Sequence, residues 1–287
     1  MNNIKIYYLI SIVVIVLILL TIYALYQNTY PTSSSITLKS KNIPNGFDGY
    51  TIVQISDYHN AHLLRGHRRL ISLIENAKPD IIVITGDFFD SRRTELSSSI
   101  SFANELVNIA LCFYIPGNHE SRKADKYAEL LSVFNDLNVT VLNNNYTSLI
   151  YGDDTVSLIG ITDPAFEVEE NDSEGIKNKL QDNLEKAIPD DNSYKILLSH
   201  RPEHIEIYAK YNVDLVLSGH AHGGQLRFPF KNGIIAPGQG FFPKYTSGLY
   251  TLDKTNMIVS RGIGNSKFPL RINNRPEVVI INLESEK

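Results

Sequence analysis

The residues of this chain able to do chemistry lie in short, separated clusters. In order they are Asp57 and His59 in "SDYHN", Asp87 and Asp90 in "GDFFD", Asn118 and His119 in "GNHE", His200 ending "LLSH", and His220 and His222 in "GHAH". Carboxylate, amide and imidazole donors without thiolates suit Mn, Zn or Fe. Asp57, His59, Asp87, Asn118, His200, His220 and His222 together exceed what one ion with open positions takes from protein. Two ions sharing one bridging carboxylate use them naturally. Such a pair, roughly 3.5–4 Å apart, activates a water and holds a phosphoryl centre. The competing reading makes them ordinary polar residues where strands end, but that role favours Asp, Asn, Ser and Gly over four histidines.

The elements that would position these groups are apolar runs rich in β-branched residues: 50–56, 80–86, 111–117, 156–161, 195–200 and 213–220. By pattern these are strands buried on both faces. Segments of helical period lie at 65–78, 97–110, 123–137 and 174–188, and shorter strand-like pieces return near the C-terminus. Strand–helix–strand repetition predicts an α/β fold. Every reactive cluster follows a strand directly, at the edge where open α/β sheets place their ligands. Asp57 to Asp87 and Asp87 to Asn118 are each about one βαβ unit, roughly 30 residues, so neighbouring strand ends converge. Alternation along an extended chain would send His220 and His222 to opposite sides, each to its own ion. Gly223 and Gly224 would let backbone pass close to the site.

The chain has 287 residues, 43% of them hydrophobic, with 27 basic against 31 acidic side chains and a net charge of −4. That is enough for a core of ordinary size. The charge balance lacks the basic footprint of a nucleic-acid binder, so none is expected as a partner. Cys112 stands alone in an apolar run, which excludes an internal disulfide and reads as a small buried hydrophobe. Residues 6–26 carry no charge and are long enough to cross a hydrocarbon core of roughly 30 Å. This apolar stretch exceeds the h-region of a cleaved signal and precedes no A-x-A-like site, so it reads as an uncleaved transmembrane anchor. Lys5 precedes it and the next cation is Lys39, which predicts a cytoplasmic 1–5 and an extracytoplasmic remainder. Residues 27–45, beginning "QNTYPTSSS", read as a flexible linker, leaving 46–287 as the folded domain.

In order, the clusters read D-x-H, G-D-x-x-D, G-N-H-E, a lone H and G-H-x-H, and on these the chain resembles the calcineurin-like metallophosphoesterases. The resemblance spans about Tyr50 to Leu283. Flanks such as "SHRPE", "GHAHGGQLRFP" and "RPEVVIINL" look like the bacterial membrane-associated subgroup, which includes phosphodiesterases and enzymes resembling UDP-diacylglucosamine pyrophosphohydrolases. The resemblance implies a four-layer α-β-β-α sandwich with a dinuclear site at the strand C-terminal ends. One ion would be held by Asp57, His59, Asp87 and His222, the other by Asp87, Asn118, His200 and His220. It casts His119 as general acid and Asp90 as the residue orienting its ring. The implied activity is hydrolysis of a phosphodiester or pyrophosphate by water that the two ions activate, on a substrate that is lipid-linked or a nucleotide sugar. The alternative is a membrane-tethered binding protein that keeps the metals without turnover. A monomer is expected.

His62, His67 and His204 lie outside every block and are expected to be solvated or capping, and Glu120 second to the ligands or exposed. The loop at 227–245, with Phe228, Phe230, Phe241, Phe242, Tyr245, Arg227, Lys231 and Lys244, is read as a substrate rim facing the membrane. Packing of those aromatics beneath the site is the competing reading.

Overall fold

The protein's structure, a computed structural model, describes residues 2–64, 66–228, 232–265 and 268–286. The first sheet holds β1 (Thr32–Ser40), β2 (Thr51–Ile55), β3 (Ile81–Thr85), β4 (Leu111–Ile115) and β5 (Thr140–Val141), with the C-terminal strand Glu277–Ser285 inserted between β1 and β2. β2, β3, β4 and β5 are mutually parallel. The second sheet contains β6 (Asn145–Tyr151), β7 (Asp154–Gly160), β8 (Tyr194–Leu198) and β9 (Leu215–Ser218), continued by β12 (Gly248–Leu252) and β13 (Thr255–Val259) in the order β12-β13-β9-β8-β7-β6. A small ribbon, β10 (Ile235–Ala236) with β11 (Gly240–Phe241), stands apart, and Glu277–Ser285 is β14.

The two sheets pack face to face through Ile52, Val83, Ile115 and Val279 of the first and Ile196, Leu198 and Leu217 of the second. The outer face of the first sheet, with Val53, Ile55 and Ile84, is covered by α2 (Arg68–Ala77), α3 (Ser97–Val107) and α5 (Ala124–Asp136) through Leu70, Ile74, Phe102, Leu106, Leu130 and Phe134. The outer face of the second is covered by α6 (Ser173–Ala187) and α7 (Ile205–Lys210). This is the α-β-β-α sandwich. Burial on both faces explains why the central strands read as continuous apolar runs. The short helix α4 (Asn118–Ser121) begins at a site residue.

The predicted linker at 27–45 needs correction, because β1 occupies Thr32–Ser40 and pairs with β14 over its whole length. Its Ser- and Thr-rich sequence looks like a spacer because an edge strand with a largely exposed face needs no hydrophobic pattern. The backbone ladder to β14 holds it. Ile43, also inside the supposed linker, is buried in the inter-sheet core. β6 likewise escaped the strand pattern, since it is an edge strand with exposed Tyr146, Ile150 and Tyr151.

At the N-terminus, α1 (Asn2–Thr29) contains a 25-residue stretch, Lys5–Thr29, apolar and long enough to cross a membrane. Its Ile, Val and Leu side chains are exposed, whereas Gln27 near its end is buried against the folded domain.

Candidate metal centre

Each predicted site residue follows a strand end: Asp57 and His59 after β2, Asp87 after β3, Asn118 after β4, His200 after β8, His220 and His222 after β9. The two sheets therefore present their C-terminal edges to one place. Asp57, His59, Asp87 and His222 have donor atoms within 4.8 Å of one another, as do Asp87, His200 and His220. Oδ2 of Asp87 lies 3.5 Å from His59 Nε2 on one side and 3.3 Å from His200 Nε2 on the other. Its other oxygen accepts a hydrogen bond from the His119 backbone N–H at 2.8 Å.

The backbone at these positions is unusual. Asp57, His59, Asp87, His220 and His222 all have positive φ, between 47° and 64°. Non-glycine residues occupy this region at a cost and persist there only where the surroundings over-determine them, as at functional sites. The geometry also corrects how His220 and His222 part company. The chain is not extended there: Ala221 is right-handed helical between two left-handed histidines, and His222 opens a short 3-10 turn. The two rings reach different neighbours because the backbone coils, His222 Nε2 lying 3.4 Å from Asp57 Oδ1 and His220 Nδ1 3.2 Å from His200 Nε2.

The donor set fits divalent cations. Burial holds His59 and His222 down to about 3, leaving neutral imidazoles with free lone pairs at neutral pH. His200 donates Nδ1–H to the Thr85 carbonyl at 2.7 Å, which turns Nε2 toward Asp87. Asn118 donates its amide to Glu170 at 2.8 Å, while its Oδ1 is buried without a hydrogen-bond partner. A buried, unpartnered carbonyl oxygen on a residue that lines the same cleft as Asp87 and His220 suits a cation ligand. Gly86, at φ 91°, must be glycine, because a Cβ there would lie 2.6 Å from His200 Nδ1 and 2.8 Å from Gly117 Cα.

Glu120 lies behind the ligand candidates, one of the two places expected for it, and is not exposed. It is fully buried, and its carboxylate accepts from the backbone N–H groups of Asp87 at 3.0 Å, Phe88 at 2.7 Å, Phe89 at 3.4 Å and Gly117 at 2.8 Å. It thus organises the loop that carries Asp87. Burial and the Asp87 charge push its carboxyl up to about 7 while the Gly117 N–H pulls it down. Those donors demand the ionised form, which cations at Asp87 would favour.

His119 packs edge-on against His59, ring centroids 4.5 Å apart. Its Nδ1 accepts from the Ser91 N–H at 3.1 Å and lies 3.5 Å from Asp90 Oδ1. Asp90 is close enough to act by charge, but both its oxygens are bonded to Arg92 and Arg93. The nearer partner is Ser91, which the sequence did not single out. With Nδ1 accepting, the neutral ring carries its proton on Nε2. Burial lowers its proton affinity, but Asp87 and Asp90 outweigh that and hold His119 above the ordinary value.

A cleft of about 520 Å³ opens before these groups, lined also by Arg122, Arg201, Ile235, Pro237 and Phe268. Arg201 is held by Asp163 at 2.8 and 3.0 Å, and Arg122 by Glu170 at 2.6 and 2.7 Å. The histidines outside the blocks stay outside the site: His62 is exposed, and His67 lies between Tyr58 Oη and Glu105, each at 2.7 Å. In the 227–245 loop, Phe241 and Phe242 are 73% and 79% exposed, whereas Tyr245 is buried against Tyr250. Arg227 is tied to the Gly223 carbonyl, Thr246 and Ser247. Phe230 and Lys231 lie outside the described residues.

A family profile described as calcineurin-like phosphoesterase matches residues 50–224. A Bacillus subtilis protein named "Uncharacterized metallophosphoesterase YkuE" is 34% identical over 255 residues, covering 87% of this chain and 84% of that one. The Campylobacter jejuni "Uncharacterized metallophosphoesterase Cj0846" is 31% identical over 280 residues, covering 94% and 69%. A Bos taurus "Transmembrane protein with metallophosphoesterase domain" is 25% identical over 267 residues, covering 89% and 57%.

Proposed function

The chain belongs to the calcineurin-like phosphoesterase family and is a metal-dependent phosphoesterase with a binuclear divalent-metal site; from that premise we propose that it is a membrane-anchored hydrolase of phosphodiester or pyrophosphate bonds. In this reading Asp57, His59, Asp87 and His222 hold one ion, and Asp87, Asn118, His200 and His220 the other, each being Mn, Zn or Fe. The observation that carries it is Asp87 Oδ2, within 3.5 Å of a histidine from each set. Two cations bound there supply Lewis-acid charge to the phosphoryl group and make water acidic enough to attack near neutral pH. As the imidazolium, the form that Asp87 and Asp90 favour, His119 gives its Nε2 proton to the leaving oxygen and returns to the neutral ring. Asp90 and Ser91 keep the ring in place.

The membrane part of the reading rests on the apolar stretch Lys5–Thr29 and the exposed side chains along it. With Lys5 before it and no cation until Lys39, the catalytic domain lies outside the cytoplasm. Exposed Phe228, Phe241 and Phe242 support a lipid-linked phosphoester as substrate.

Hydrolysis of bis-p-nitrophenyl phosphate with added Mn by the full chain in detergent tests the chemistry. Asp87→Asn and His119→Ala should each lose most of the activity. If the unaltered chain is as inactive as both variants across metals and model esters, it is a binding protein instead. Phe241→Ser/Phe242→Ser should lower rates on vesicle-borne phosphoesters more than on soluble ones; equal loss on both removes the lipid-facing role.

A further inference from the structure

Near the end of α1, the polar side chains of Tyr23, Gln27 and Asn28 all grip one stretch, Arg271 to Asn274. Tyr23 Oη bonds Asn273 Oδ1. One turn on, Gln27 Oε1 accepts from the Asn274 backbone N–H at 3.2 Å. Asn28 clamps Arg271 from both sides: its Oδ1 accepts from the Arg271 N–H at 2.9 Å and its Nδ2 donates to the Arg271 carbonyl at 3.3 Å. The same Oδ1 accepts from Asn265 Nδ2 at 2.9 Å. A helix serving only as a tether has no use for such contacts.

The gripped residues lead into one half of the metal centre. Asn274 Nδ2 donates to the carbonyls of His222 at 2.8 Å and Gln225 at 2.9 Å. Gly223 makes room for that reach, since a Cβ there would collide with the Asn274 amide. The Arg271 guanidinium, fully buried, donates to the carbonyls of Gly264 at 2.5 Å and Arg261 at 2.9 Å. The Gly264 N–H in turn donates to the Asp57 carbonyl at 2.7 Å. Arg271 Nη2 also sits 3.5 Å from His222 Nδ1, a packing contact, because both nitrogens are donors when Nε2 faces the ligand cluster. His222 and Asp57 both sit at positive φ, so their placement depends on such outside restraint.

We propose that Gln27 and Asn28, the end of the anchor helix, are positioning residues for the His222–Asp57–His59 side of the metal centre, acting through Arg271 and Asn274. The proposal rests on the two-metal reading above. The helix end is thereby part of the enzyme's active-site wall, and the anchor sets affinity for one of the two cations.

Titration of the full chain in detergent micelles with Mn²⁺ alone tests this, with thermal unfolding measured in parallel. The unaltered chain should bind two equivalents. In Asn28→Ala and in Gln27→Ala one equivalent should weaken by roughly 10–100-fold while the other keeps its affinity, the range typical of lost outer partners. Asn28→Asp, which keeps the acceptor and loses the donor, should fall between. Asn28→Ala combined with Asn274→Ala should cost less than the sum of the two. Leu17→Ala, on the exposed apolar face, should change neither equivalent. Unchanged affinities in both variants overturn the proposal, as does equal weakening of both equivalents together with a lowered unfolding temperature. Gln27→Ala, which removes one acceptor only, decides the matter should Asn28→Ala not fold. Fewer than two equivalents in the unaltered chain overturns the two-metal reading itself, a result visible before any variant is made.

Discussion

On one side of Asp87, His200 and Asn118 are set by groups close at hand: the Thr85 carbonyl at the end of β3 turns His200, and Glu170 turns the Asn118 amide. On the other side, Asp57 and His222 are also braced by Gly264, Arg271 and Asn274, and the last two are themselves held by α1. The first half is built into the sandwich. The second joins two strand-end turns through an irregular segment whose fixed point at Asn28 lies 243 residues away in sequence from Arg271, on a helix that reads as a mere anchor. The difference shows that chemically similar ligands within a few ångströms of each other need not share their means of support.

The largest effect should come from the residue common to both halves. Asp87→Asn should lower kcat/KM by about 10³-fold or more and weaken both cations, since Asp87 Oδ2 lies against a histidine of each set and a neutral amide would hold cations there far less well than a carboxylate. Steady-state kinetics with metal titration checks it, and loss of one cation alone would show that Asp87 serves a single side. Arg271→Met should separate the halves: it strands the Gly264 and Arg261 carbonyls, costs about 2 kcal/mol, and lowers the unfolding midpoint by roughly 4–8 °C. Calorimetry and Mn²⁺ titration should find only the equivalent on the Asp57 side weakened; uniform weakening breaks the comparison. Glu170→Ala should do the reverse with a smaller effect, about tenfold on the His200 side, because Glu170 is partly exposed and screened.

The smallest change expected is in pH dependence. The Asp90 carboxylate favours the imidazolium of His119, so Asp90→Asn lowers the His119 pKa, and an acid that loses its proton earlier fails earlier. The alkaline limb of kcat/KM should move to lower pH, by roughly tenfold in proton concentration, with the acid limb unmoved. A limb that stays in place assigns the orientation of His119 to Ser91 alone.

The central strands were legible because burial on both faces leaves unbroken β-branched runs, and the candidate ligands were legible because strand ends are where such sheets gather polar groups. Edge strands β1 and β6 were not, since one solvent face removes the pattern. Glu120 was readable as part of "GNHE" but not as the acceptor for the Asp87 loop, because backbone N–H groups leave no trace in residue identity. Ser91 escaped for the same reason, its N–H joining the Asp90 carboxylate beside His119 Nδ1.

What the sequence by itself determined is the inventory: which donors exist, in what order, at the ends of which buried strands, and an apolar segment long enough to span a bilayer. Tertiary structure alone decided how each donor is aimed. The left-handed turns that separate His220 from His222 have no local signature, because they are held by contacts between segments far apart in the chain. Gln27 and Asn28 read as the start of a spacer until the fold brought Arg271 and Asn274 against them. Side-chain type is a local property; restraint of a strained backbone is a property of everything packed around it.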